Sequence, residues 1–137
     1  MNTSFTPKII PAFYQLYMNY RGLDRFDDIW SGTFLKKTAD HLGDKICLGA
    51  PLVRHEKRPR DVFVDLRKER EGIAINEKLW TVVDSICLNG SSYTDAYLSL
   101  IDGLEKNINQ NFSMDSHKKI SMQIKKMRTW LGLFERL

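Results

Sequence analysis

The apolar residues of this chain recur mostly every three or four positions, which is the spacing of an amphipathic helix. Such a stripe predicts a helix over about 27–41, with Gly43 following as its C-cap. A similar stripe over 10–18 predicts an earlier helix, although Pro11 interrupts its start. The first third of the chain is therefore expected to contribute two helices.

The second half of the chain is also predicted to be helical. A short helix is expected at about 65–70, after a charged loop, and another apolar stripe ends at Gly90. Ser92 and Asp95 have the spacing of a capping box at the start of the next helix. The seams of the last two helices are Ala96, Tyr97, Leu100, Ile101, Leu104 and Ile108, and then Ile120, Ile124, Met127, Leu131 and Phe134.

Three short pieces favour β-structure instead. Residues 45–48 and 52–55 are rich in β-branched and other apolar side chains and are separated by a Gly-Ala-Pro breaker. Residues 1–5 are the third candidate. These pieces predict buried strands beside the helices.

Composition restricts the class of protein. The 137 residues are 42% hydrophobic and 28% charged, which fits one globular unit. No apolar run approaches the roughly 18 residues of a membrane span, and the N-terminus lacks the layout of a signal peptide, so a soluble, cytoplasmic protein is expected. The only cysteines, Cys47 and Cys87, each lie in an apolar run and are expected to be reduced and buried.

Four motifs in the first half of the chain carry the strongest functional signal. They read R-F-D-D-I-W-S-G at 25–32, D-H-L-G at 40–43, G-A-P-L-V-R-H at 49–55 and F-V-D-L-R-K-E at 63–69. In this order and spacing they resemble the C-terminal part of the reversibly glycosylated polypeptide family, which includes the plant UDP-arabinopyranose mutases. The resemblance covers about residues 1–80; beyond Trp80 only the helical character is similar.

The resemblance implies a helix-rich α/β fold, namely the acceptor-side part of a GT-A nucleotide-sugar transferase fold with appended C-terminal helices. It divides the chain into a GT-A-like portion, 1–80, and a helical extension, 81–137, that packs on it. It also implies that the nucleotide-binding half and its acidic metal motif lie outside this chain. The expected function is that of a fragment of a UDP-sugar mutase or glycosyltransferase, with activity in isolation left open.

Carboxylates are the first candidates for catalysis. Transfer at an anomeric carbon passes through an oxocarbenium-like transition state, which a carboxylate near the sugar stabilises. Asp27 and Asp28 point in different directions from a helix start, so one can cap the helix while the other faces the sugar. Asp28 is the first choice because it resembles the second acid of the acidic pair in many GT-A enzymes. Helix capping by both is the alternative.

The remaining site predictions concern the phosphates and a metal. In the context of the resemblance, His55 is a candidate ligand for a divalent cation, Mn²⁺ or Mg²⁺, with a surface histidine as the alternative. Arg54 and Lys57 could counter a diphosphate, or simply form a solvated face. Trp30 is expected to pack in the core, with a sugar platform as the second interpretation.

Other classes of function remain open. The net charge of +4 and a basic flank at Lys118, Lys119, Lys125, Lys126 and Arg128 fit an anionic partner, although a solvated helix face is the favoured interpretation and nucleic-acid binding is not expected. The chain could instead be a non-catalytic subunit that packs on an N-terminal partner chain, or a homo-oligomer. A transferase acting on a glycan or protein acceptor is a further alternative.

Overall fold

The computed structural model describes residues 4–18, 23, 26–50, 52–54, 56 and 59–134. A 3₁₀ helix, Pro7–Ala12, is followed by four α-helices, which are α1 Asp27–His41, α2 Val62–Ser85, α3 Tyr93–Asn111 and α4 Met114–Leu131. None of these described residues lies in a β-strand. The prediction of an α/β, GT-A-type fold is therefore wrong for the part of the chain that the structure describes.

The β-prone pieces between α1 and α2 form extended chain without a ladder. Residues 45–48 and 52–54 are exposed, and Ile46 and Leu48 are 52% and 98% accessible. A strand is stable only when a neighbouring strand satisfies its backbone and covers its apolar face. The described residues supply no such neighbour, which explains why β-propensity alone misled the prediction. Residues 1–3 and His55 lie outside the described residues.

Two helices differ in extent from their predictions. The stripe over 10–18 forms only the short 3₁₀ helix, because Pro11 has no N–H for a helical hydrogen bond. Conversely, α2 is a single helix of 24 residues, although a short helix and a separate later stripe were predicted. Asp61 starts α2 early, since its Oδ1 accepts hydrogen bonds from the amides of Phe63 at 2.9 Å and Val64 at 3.2 Å.

Other boundaries agree with the sequence. The predicted helix over 27–41 is confirmed, and Gly43 adopts a φ of 76° just beyond its end. The amide of Gly43 donates a hydrogen bond to Asp40 O, and the amide of Asp44 donates one to Ala39 O. These two hydrogen bonds define a Schellman motif. The capping box is confirmed by a 3.1 Å hydrogen bond from the Asp95 amide to Ser92 Oγ.

The core is centred on α3, which packs against the 3₁₀ helix and each of the other α-helices. All six seam positions predicted for α3 are buried, as are four of the five predicted for α4. Because α4 follows α3 after a two-residue break, the helices form an antiparallel hairpin, which brings Arg128 next to Asp102 and Glu105. Burial of these apolar seams is the main source of stability in such a bundle.

Helices α1 and α2 lie side by side in parallel. Three contacts join the two helices in the same order along both of them. The Phe26 ring lies against Gly72, the Trp30 indole donates a hydrogen bond to Asn76, and Lys37 Nζ donates one to Asp84 O at 2.9 Å. The first ten residues of α2, 62–71, lie before this register begins, and none of them is fully buried. The predicted division after residue 80 falls within α2, and the division itself stays a prediction.

Two further sequence predictions concern the burial of the cysteines and the absence of a membrane span. Both cysteines are exposed rather than buried, because Cys47 lies in the extended segment and Cys87 in the turn after α2. Among the helices of the described residues, none is long and apolar enough to cross a membrane.

Candidate functional site

The two predicted catalytic aspartates lie at the open N-terminus of α1. The Asp27 carboxylate accepts a hydrogen bond from the Asp28 amide at 3.0 Å, and so satisfies one of the helix's first N–H groups. Asp28 is exposed, and its carboxylate makes no hydrogen bond or ion pair with any other described residue. The pair therefore divides into a carboxylate engaged with the helix start and one that is exposed, and the catalytic role of either stays a prediction.

The first turn of α1 is held firmly behind these carboxylates. Ser31 Oγ accepts a hydrogen bond from the Leu16 amide at 3.0 Å and donates to the carbonyl of Asp27. Trp30 is 2% exposed, and its indole Nε1 donates to Asn76 Oδ1 at 2.8 Å. Trp30 therefore packs in the core, the first of its two interpretations. The arrangement fixes the backbone that carries Asp28 relative to α2.

Of the residues Arg54, His55 and Lys57, which were predicted to bind phosphate or metal, the structure describes only Arg54. Arg54 is exposed in the extended segment and makes no hydrogen bond or ion pair with any described residue. His55 and Lys57 lie outside the described residues, so their roles stay predictions. Within the described part of the chain, no group of three or more His, Cys, Asp or Glu side chains could hold a metal ion. Because His55, its predicted ligand, lies outside the described residues, the divalent cation stays a prediction.

A polar cluster that the sequence did not predict lies just beyond the C-terminal end of α1. Lys8 Nζ donates to Asp44 Oδ1 at 2.9 Å, and the Tyr93 hydroxyl donates to Asp44 Oδ2 at 2.8 Å. These hydrogen bonds, first that of Lys8 and then that of Tyr93, hold the pKa of Asp44 below its ordinary value. Burial, followed by the bond to Asp44, raises the pKa of Tyr93 to about 12.

This cluster borders an open groove of about 560 Å³. The groove lies between the N-terminal segment, α1, the extended segment and the start of α3, and its apolar lining includes Phe5, Ile9 and Leu35. Because Asp44 is already satisfied by two donors, the cluster links three parts of the chain rather than presenting a free reactive group. No local sequence pattern predicts this cluster, because Lys8 and Tyr93 lie 36 and 49 residues away from Asp44 in the sequence.

Three of the five residues of the basic flank of α4 make contacts with other residues of the chain. Lys119 pairs with Glu71 and Asp115, and Arg128 pairs with Asp102 and Glu105. Burial lowers the pKa of Lys119, but its hydrogen bonds to the two carboxylates outweigh that effect and raise it. Lys126 also lies 5.8 Å from the ring centre of Tyr17. This pairing favours a structural role for the flank over nucleic-acid binding.

Comparison with known proteins defines the class to which this helical chain belongs. The sequence model of the reversibly glycosylated polypeptide family matches residues 1–137. The chain is a member of the reversibly glycosylated polypeptide family, which confirms the resemblance seen in its motifs.

Individual relatives are named as UDP-arabinopyranose mutases. A probable UDP-arabinopyranose mutase 1 of Solanum tuberosum is 30% identical over 141 aligned residues, covering 100% of this chain and 37% of the relative. The UDP-arabinopyranose mutase 1 of Arabidopsis thaliana is 34% identical over 69% of this chain and 27% of its own length. A probable mutase 1 of Pisum sativum is 37% identical over 58% of this chain and 22% of its own length. The chain thus spans roughly a quarter to a third of these curated relatives.

Proposed function

We propose that this chain supplies the sugar-facing helical part of a UDP-sugar mutase, with Asp28 as the carboxylate that faces the sugar. The observation that carries this proposal is the exposed carboxylate of Asp28, which has no side-chain partner among the described residues and lies at the anchored start of α1, within the D-D-I-W motif. Asp27 remains engaged with the helix backbone and positions the first turn. Membership of the family and the names of the relatives support a UDP-sugar as the substrate.

The chemistry requires stabilisation of positive charge. Interconversion of sugar ring forms at an anomeric carbon that bears a diphosphate breaks the bond from that carbon to the old ring oxygen and forms a bond from it to another hydroxyl of the same sugar, with oxocarbenium-like character at that carbon. A carboxylate held by a rigid helix start stabilises the positively charged oxocarbenium-like ring more than the uncharged sugar ring of the substrate. Such preferential stabilisation of the transition state is the condition for catalysis. A mutase has no external acceptor to deprotonate, and the proton lost by the hydroxyl that closes the new ring is balanced by the proton that the former ring oxygen gains, so Asp28 would act by its charge.

Arg54 is the side chain that we propose meets the diphosphate. A guanidinium group binds phosphate oxygens through two parallel N–H donors, and Arg54 is exposed and without an internal partner among the described residues. His55 and Lys57 follow it closely in sequence and belong to the same proposal. We derive no step through a divalent cation, because its predicted ligand, His55, lies outside the described residues. The nucleotide itself would be held by the portion of the family polypeptide that this chain does not span.

Calorimetric titration tests this proposal. The purified chain is titrated with UDP-arabinopyranose and UDP-glucose, each with and without Mn²⁺. We expect weak binding that Asp28→Asn reduces by about tenfold, which corresponds to about 1.4 kcal/mol. Glu77→Gln is the matched control, since it removes the same charge from an exposed site on α2 and should leave binding unchanged.

Three results would contradict the proposal or redirect it. Absence of binding by a chain that circular dichroism shows to be folded would place the sugar site elsewhere in the family polypeptide. Equal losses in Asp28→Asn and Glu77→Gln would point to general electrostatics rather than to a site. Sugar transfer to a glycan or protein acceptor, in an assay that also follows ring interconversion, would favour the transferase alternative over the mutase.

A further inference from the structure

An apolar band runs along the outer face of α2. Val62, Leu66, Ile73 and Trp80 follow one another at intervals of four, seven and seven residues, which places them on one side of the helix. They are 73%, 53%, 42% and 41% exposed. From its first to its last member this side of α2 extends about 27 Å. The buried face of α2, which includes Ile75, Leu79 and Val83, is a different side of the helix.

Helix α1 continues the band across the groove between the two helices. Trp80 lines that groove together with Thr33 and Lys36 of α1. Ile29 lies one turn before Thr33 on the same side of α1 and is 44% exposed. Because α1 and α2 run parallel in one register, Ile29 lies alongside the part of the band between Ile73 and Trp80. We call these five residues, Ile29, Val62, Leu66, Ile73 and Trp80, the α1–α2 band.

Charged side chains of both signs border the α1–α2 band. Glu77 and Asp84 lie beside it on α2, and Lys36 and Asp40 form an ion pair on the neighbouring ridge of α1. An apolar centre with a mixed polar rim is the usual anatomy of a protein–protein interface. Exposed apolar side chains arranged in a continuous band also cost solvation free energy unless another surface covers them.

We infer that the α1–α2 band is the docking surface for the remaining portion of the reversibly glycosylated polypeptide, the portion that this chain does not span. The relatives carry the matched region within polypeptides of which it forms only 22–37%. The described residues of this chain leave this face of the helix pair uncovered, and the rest of such a polypeptide is available to cover it. The inference rests on family membership and does not depend on sugar binding.

Sedimentation velocity tests this docking directly. The purified chain is mixed with separately produced protein comprising the part of the Solanum tuberosum relative that lies outside its match to this chain, and with the corresponding part of the Pisum sativum relative. We expect a one-to-one complex. Trp80→Glu and Ile73→Glu should each weaken it by at least about tenfold, because a carboxylate would be buried without a partner in a dry interface.

The control variant is Met114→Glu. Met114 is 78% exposed at the start of α4, so the substitution adds the same charge to an exposed apolar residue elsewhere and should leave the complex unchanged. Circular dichroism and thermal unfolding of each variant alone should match the parent chain, since all three residues are exposed. These measurements separate a lost contact from a misfolded protein.

Several outcomes would overturn the inference. They are the absence of a complex with both relatives, a complex that the band variants do not weaken, and a complex that Met114→Glu weakens equally. A homodimer of the chain alone that Trp80→Glu dissociates would assign the α1–α2 band to a second copy instead. Since no nucleotide sugar is present, failure of docking and failure of the proposed function are observed separately.

Discussion

The ring of Phe26 lies directly against the backbone of Gly72. A Cβ atom built at position 72 would lie 2.3 Å from Cδ2 and 2.5 Å from Cε2 of that ring, which is too close for non-bonded carbon atoms. Phe26 precedes α1 and is 7% exposed, and Gly72 is buried within α2. The missing side chain of Gly72 is therefore what lets the start of α1, and with it Asp27 and Asp28, approach α2.

Gly72→Ala should destabilise the chain. Alanine has the better helix propensity, but the added methyl group must displace the Phe26 ring from a packed position. We expect a net loss of about 1–3 kcal/mol in the free energy of unfolding. Urea denaturation followed by circular dichroism measures it.

Gly32→Ala is the control for that experiment. Gly32 is exposed in α1, and a Cβ atom there would have no neighbour within 4 Å. This substitution should stabilise the chain by about 0.5–1 kcal/mol through helix propensity alone. If both variants were stabilised equally, the close approach of Phe26 to Gly72 would be disproved.

The hydrogen bond between Trp30 and Asn76 should contribute measurably to stability. Trp30→Phe removes the indole N–H and part of a buried ring, and we expect a loss of about 1–3 kcal/mol in the free energy of unfolding. Trp80→Phe, at a residue that is 41% exposed, should change the same quantity by less than about 0.5 kcal/mol. Chemical denaturation of both variants gives the comparison, and equal effects would contradict the placement of Trp30 in the core.

Tyr93 should make stability decrease in alkaline solution. Burial and the bond to Asp44 raise its pKa from the ordinary 10.0 to about 12. Between these pH values the unfolded chain releases the phenol proton while the folded chain retains it, so the free energy of unfolding falls as pH rises. Below pH 10 both states hold the proton and this contribution is fully present.

Stability measured against pH in Tyr93→Phe tests this linkage. The variant should show a shallower alkaline decline than the parent chain. Tyr97 contributes a decline of the same sign to both proteins, because burial raises its pKa as well. Tyr17→Phe, at a tyrosine that is 60% exposed, serves as the control. An unchanged slope in Tyr93→Phe would contradict the proposed linkage.

The capping box of α3 should be worth about 1 kcal/mol. Ser92→Ala removes the hydroxyl that accepts from the Asp95 amide, which leaves that amide without its cap. Ser91→Ala, one residue earlier and exposed, should have little effect on thermal unfolding. Similar losses in the two variants would show that Ser92 does not act as the N-cap.

Local features of the fold were predictable from the sequence because their causes are local. The bounds of α1, the glycine after it and the cap of α3 depend on residues within a few positions of one another. The buried seams of α3 and α4 follow from apolar spacing for the same reason. The D-D-I-W motif likewise identified the family, since it is a contiguous pattern.

The remaining features depended on contacts between distant residues. Residues 45–48 have β-propensity, but a strand needs a paired neighbour, and none exists among the described residues. The Asp44–Tyr93 bond, the Trp30–Asn76 bond and the meeting of Phe26 with Gly72 join positions 46 to 49 residues apart.

The sequence by itself therefore determined α1, the cap of α3, the apolar seams of α3 and α4, and the family. Only the tertiary structure decided that Asp27 engages the helix start while Asp28 is exposed, that Trp30 bonds Asn76, and that the α1–α2 band is exposed. The physical reason is that helix hydrogen bonds and apolar stripes are set by neighbours along the chain, whereas burial and side-chain pairing depend on which helices pack together.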